Sequence, residues 1–82
     1  MSLFTPNSVT GLVVSTYRDF ESGALYVTLR RPNGDITLEV GGELADQIEA
    51  LTIRRKNAGR QTTLTLVYDP DTFAITSFSV VG

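Results

Sequence analysis

The chain has no cysteine, no histidine and no tryptophan. Without thiols, no disulfide can brace the fold. Without cysteine and histidine, the usual zinc ligand sets, a Cys–His pair, a Ser–His–Asp triad and a histidine general base are all excluded. Charge of one sign is lacking too: 7 Lys and Arg stand against 9 Asp and Glu, a net of −2. No global field draws nucleic acid or acidic lipid to such a surface. No apolar run approaches the roughly 20 residues that span a bilayer. Met1-Ser2-Leu3-Phe4 lacks the basic start and long apolar stretch of a secretory signal. Met1-Ser2-Leu3 also reads as an added leader on a piece of a longer chain. Together these absences suggest a cytoplasmic protein, not an enzyme, with no cofactor, no metal and no membrane partner.

What is present is enough for one small domain. The chain is 82 residues long and 41% hydrophobic, too apolar for a disordered tail. A domain of this size buries only about 60% of its unfolded surface, so its stability margin is thin. Small domains without staples often gain stability from a partner. Residues 1–8 form a polar lead-in around Thr5-Pro6-Asn7-Ser8, and residues 9–82 form the domain. No internal repeats, low-complexity tracts or linkers interrupt it.

Val9 to Tyr17 is rich in Val, Thr and Leu and predicts a strand, with Gly11 marking a bulge or bend. Arg18 to Gly23 predicts a turn. Leu25, Val27 and Leu29 alternate with Tyr26, Thr28 and Arg30, and Ile36, Leu38 and Val40 alternate with Thr37 and Glu39. With Pro32-Asn33-Gly34 between them, these two runs predict a hairpin. After Gly41-Gly42 the period changes: Leu44, Ile48 and Leu51 form one apolar stripe, as on a short amphipathic helix. Glu43 and Asp46 lie near its start and Arg54, Arg55 and Lys56 near its end, as the helix dipole favours. Asn57-Ala58-Gly59 offers a stop, although Ile53–Lys56 also reads as extended. Thr62–Tyr68 and Phe73–Val81 predict two more strands around the turn Asp69-Pro70-Asp71-Thr72.

The order strand, strand, strand, helix, strand, strand resembles the oligonucleotide/oligosaccharide-binding fold, in which five strands form a small antiparallel barrel. The fold class is mainly β with one helix. The resemblance implies that the face of strands two and three and the adjoining loops hold a ligand. Tyr26, Arg30 and Arg31 fall on or beside that face. Arg54, Arg55, Lys56 and Arg60 form a second basic cluster. Cations for phosphates and aromatics for bases are what single-stranded nucleic-acid binding needs. Glu39, projecting from the same face as Tyr26, opposes this.

Asp69 and Asp71 flank Pro70, and Asp19 and Glu21 sit in another turn. Asp in such positions is better read as bonding its own backbone than as holding a cation. Tyr68 and Phe73 bracket one turn and are expected to pair across it. Phe20, at a turn tip, is either an anchor into a partner or a plug for the barrel end. The last strand is apolar on both sides: Phe73, Ile75 and Val81 on one, Ala74, Phe78 and Val80 on the other. Burial on both faces is therefore expected. The first expectation for function is an interaction module that self-associates or binds a protein partner through Phe20, Phe78 and Val80. Single-stranded nucleic-acid binding is the alternative.

Overall fold

The computed structural model describes residues 7–81. The order is β1 (Asn7–Arg18), β2 (Leu25–Arg31), β3 (Gly34–Val40), α1 (Gly42–Asn57), β4 (Thr63–Tyr68) and β5 (Ile75–Val81). The strands form one antiparallel sheet in the order β3-β2-β1-β4-β5. The edges, β3 and β5, are not paired with each other, so the sheet is open and the expected closure into a barrel is not seen. The first strand begins two residues earlier than the expected boundary at Val9, and the Thr5-Pro6 part of the lead-in lies outside the described residues.

β1 serves two neighbours in turn. Asn7–Leu12 pairs with β4, and Leu12–Arg18 pairs with β2. The irregularity between these halves is a bulge at Val13–Ser15, not at Gly11. Gly11 meets a different demand. A Cβ there would lie 2.8 Å from the Arg30 carbonyl oxygen and 2.9 Å from the Leu29 Cβ. Only glycine lets β2 pass that close.

The period-two alternation puts Leu25, Val27 and Leu29 of β2 and Leu64 and Leu66 of β4 on one face, all fully buried. Ile36, Leu38, Val13, Tyr68, Ile75 and Phe78 pack around them. α1 leaves β3 at one sheet edge and returns to β4 beside the central strand, so it covers this face. Ala45 and Ile48 are its fully buried residues. The helix runs through Ile53–Lys56, which settles that stretch as helical. Its end is closed by Gly59, at φ 74°, with the Arg60 N–H donating to the Arg55 carbonyl and the Gly59 N–H to that of Lys56. This is the doubled bond pattern that left-handed glycine permits after a helix.

The opposite face has no covering element among the described residues. Cross-strand hydroxyl pairs line it: Thr10 with Thr65 at 2.8 Å and Thr28 with Thr37 at 2.9 Å. The last strand differs from expectation. Phe73 and Ala74 lie in the turn, and a second irregularity at Val67–Tyr68 resets the alternation. Phe78 and Val80 therefore stand opposite core residues Leu66 and Leu64, Ile75 opposite Tyr68, and Val81 alone of the apolar residues faces outward beside Thr63.

Candidate functional site

The residues singled out from the sequence fall on separate surfaces. Tyr26 is half-buried on the uncovered face of β2, paired in register with Tyr17 on one side and Glu39 on the other. The two tyrosine rings lie 6.3 Å apart and are tilted by 31°. Arg30 shares this face, but its Nε lies 3.5 Å from Asp35 Oδ1. Arg31, one residue on, takes the other side of the strand and reaches the Gly34 carbonyl with a long 3.4 Å bond. The nearest aromatic and cation of the expected nucleic-acid face thus each have a carboxylate beside them.

The second basic cluster is held by α1 and the turn after it. Arg55 is committed to structure, its Nη2 donating to the Gln61 carbonyl at 3.0 Å. Arg54 is exposed in the last helical turn. Lys56 and Arg60 line a groove of about 480 Å³ with Val13, Val14, Ser15 and Thr16 of β1, Thr52 and Ile53 of α1, and Gln61 and Thr62. Among the described residues, no acidic side chain lines it. The groove exists because β4 stops pairing at Leu12, leaving the next stretch of β1 with β2 on one side only. Arg30 and the Lys56–Arg60 pair therefore lie on opposite sides of β1, not on one continuous basic face.

One end of the groove region is pinned by Arg18. Its Nη2 bonds Glu49 Oε1 at 2.7 Å and Asp46 Oδ1 at 3.1 Å, and its Nη1 donates to the Gly23 carbonyl at 2.7 Å. Hydrogen bonding to Glu49 raises the guanidinium above its ordinary pKa against the effect of burial, and Asp46 adds to the rise. The guanidinium stays charged and holds α1 alongside the end of β1.

The loops joining β1 to β2 and β4 to β5 have the same construction. In each, the first Asp accepts the N–H two residues on: Asp19 from Glu21 at 3.0 Å, Asp69 from Asp71 at 2.8 Å. In each, the Ser or Thr hydroxyl accepts the N–H of the closing Ala: Ser22 from Ala24 and Thr72 from Ala74, both at 3.2 Å. The fifth position has positive φ in both, at Gly23 (78°) and Phe73 (62°). The common pattern, Asp-x-Glu/Asp-Ser/Thr-x-Ala, recurs at residues 19–24 and 69–74, so the expectation of no internal repeats fails for this six-residue unit. The aspartates do bond their own backbone as expected, and among the described residues no group of three or more potential ligands could hold a metal.

Phe20 is 93% exposed at the tip of the first loop, so it does not fold back as a plug. Phe73 is 69% exposed, and its ring stacks on Tyr68 at 5.9 Å. A non-glycine residue in the left-handed region costs about 1–2 kcal/mol. Phe73 carries this strain where its sister loop uses glycine. Phe78 and Val80 lie on β5, in a different hairpin from Phe20, so the three residues do not form one patch.

Among the described residues, no helix is long and apolar enough to cross a membrane. Comparison of the chain with family models, with curated proteins and with solved structures finds no match.

Proposed function

We propose that this domain is a non-enzymatic interaction module that self-associates through β5. One observation carries the reading: β5 is a sheet edge of 7 residues with no charged side chain. The opposite edge, β3, carries Asp35 and Glu39. Charges on an edge strand discourage pairing with another chain, and their absence invites it. Seven residues offer a pairing length of about 23 Å. Val80 and Val81, 38% and 45% exposed, would lose water when a second β5 aligned antiparallel across a twofold axis.

Light scattering after size exclusion at tens of micromolar tests this. A dimer is expected, with Ser79→Lys giving a monomer whose thermal midpoint equals that of the wild type when both are melted at a dilution that dissociates the dimer. Ser79 is exposed on the uncovered face, so the substitution leaves the core alone. A monomeric wild type, or a Ser79→Lys variant that still dimerises, refutes the reading.

A second reading has its own support. The order β3-β2-β1-β4-β5 with a helix between β3 and β4 suits a partly open oligonucleotide-binding-type barrel. Tyr26 and Arg30 lie on the outer face of β2, where such a barrel would hold a single strand. Glu39 beside Tyr26 and Asp35 beside Arg30 weigh against it. Fluorescence anisotropy of labelled oligo-dT at low salt decides: binding that falls as salt rises and is lost in Arg30→Glu supports nucleic acid, and no binding removes it.

A further inference from the structure

We infer that the groove between β1 and the second half of α1 is a docking site for an extended acidic peptide of a partner protein, which adds a strand to the free edge of β1. This surface is separate from β5, and neither reading depends on the other.

The backbone supplies the first part of the argument. In an antiparallel ladder, the residues of non-hydrogen-bonded pairs turn their N–H and C=O groups away from that neighbour. The Asp19 N–H donates to the Ala24 carbonyl at 2.9 Å, closing the β1–β2 hairpin. Counting back from that bond through the register Arg18↔Leu25, Tyr17↔Tyr26 and Thr16↔Val27, Tyr17 bonds β2. Thr16 points its N–H and C=O the other way, towards the side where β4 would continue. β4 pairs with β1 only as far as Leu12. The last bond across that side runs from the Val13 N–H to the Thr62 carbonyl, at 2.8 Å. From Val14 to Tyr17, no other backbone group among the described residues meets this edge. The Val13–Ser15 bulge falls just where β4 stops pairing.

The side chains then define the occupant. Val14 on β1 and Ile53 on α1, both exposed apolar residues, line the groove. Lys56 and Arg60 line it as well, with no carboxylate among the described residues that line it. Neither forms an ion pair among the described residues. At the far end, Arg18 is already neutralised by Asp46 and Glu49. The positive charge is therefore concentrated beside the Thr62 end. A segment of about four residues fits the exposed stretch at about 3.3 Å per residue. Strand addition takes affinity from main-chain bonds and specificity from alternate side chains. The segment that fits has alternating apolar residues and an Asp or Glu near Lys56 and Arg60.

The test selects binders from a displayed library of random seven-residue peptides against the intact protein, then follows the best one by amide exchange on the isotope-labelled protein. Enrichment of Asp and Glu alternating with Val, Ile or Leu is expected. In the free protein the Thr16 amide should exchange rapidly despite its place within a strand, and bound peptide should slow it at least tenfold. Lys56→Gln with Arg60→Gln, both at exposed side chains, should weaken binding about tenfold while leaving the thermal midpoint within a few degrees. Several results overturn the inference: a Thr16 amide already protected in the free protein, selected peptides without acidic enrichment, or binding that leaves Thr16 exchange or the double variant's affinity unchanged. Protection of Thr16 by oligo-dT but by no selected peptide also overturns it, in favour of a phosphate ligand.

Discussion

Gly11→Ala sets two opposing energies against each other. The added methyl would lie 2.8 Å from a backbone oxygen and 2.9 Å from a Cβ, whereas ordinary contact begins near 3.4 Å. Neither neighbour is the loose end of a flexible chain, so β2 itself must move by several tenths of an ångström. Overpacking of this kind costs about 1–3 kcal/mol. Alanine also restricts the unfolded chain, which alone would stabilise by about 0.4–1 kcal/mol. The clash prevails, leaving a net loss of about 1–2 kcal/mol. For a domain of this size that lowers the thermal midpoint by about 5–15 °C and the urea midpoint by about 1 M. Circular dichroism melts and urea titrations at low protein concentration read both, dilution keeping association out of the result. A raised midpoint would mean that the unfolded-state effect acts alone. The close passage of β2 over Gly11, and with it the account of how β1 serves two neighbours, would then be wrong.

Two further substitutions probe local features. Gly41 is the N-cap of α1 and makes no side-chain cap bond, while space around it is open; Gly41→Ser should add about 0.5 kcal/mol and raise the thermal midpoint by a few degrees, and a lowered midpoint would contradict the cap assignment. Phe73→Gly relieves the left-handed strain but loses a stack worth about 0.5–1.5 kcal/mol, so its midpoint should stay close to wild type. Phe73→Ala keeps most of the strain and loses the stack, and should melt several degrees lower than Phe73→Gly; the reverse order would show that Phe73 carries no strain.

The elements legible in the sequence are those with a single clear period. The β2–β3 hairpin carries its alternation in Leu25, Val27, Leu29, Ile36, Leu38 and Val40, and the structure pairs them in register. The helix announces itself through Leu44, Ile48 and Leu51 and through charges matched to its dipole. β5 departs from its sequence pattern because the alternation is reset beside Val67–Tyr68, which brings Ile75 and Phe78 to one side although they are three residues apart. A bulge leaves no mark in composition. Tyr26, Arg30 and Glu39 share one face, as their even spacing and the hairpin register require. The Arg30–Asp35 pair follows from the hairpin register, whereas the gap beside β1 depends on where β4 stops pairing, a long-range fact that no local pattern contains. The twin loops were visible as letters, but their meaning lay in which hydroxyl and which carboxylate accept a hydrogen bond.

The division of β1 between two neighbours also orders events in time. Its second half meets β2 across a short loop, but its first half waits for β4, with Asn7 paired to Tyr68. On a growing chain the β1–β2–β3 meander has all its strands early, while Val9 has no neighbour until synthesis has passed α1 and reached Leu66. Pairings so distant in sequence form slowly, and apolar edges left waiting are prone to aggregate. The hydroxyl-rich first half of β1, with Ser8 and Thr10 around Val9, suits a segment that must stay in water until its neighbour is synthesised.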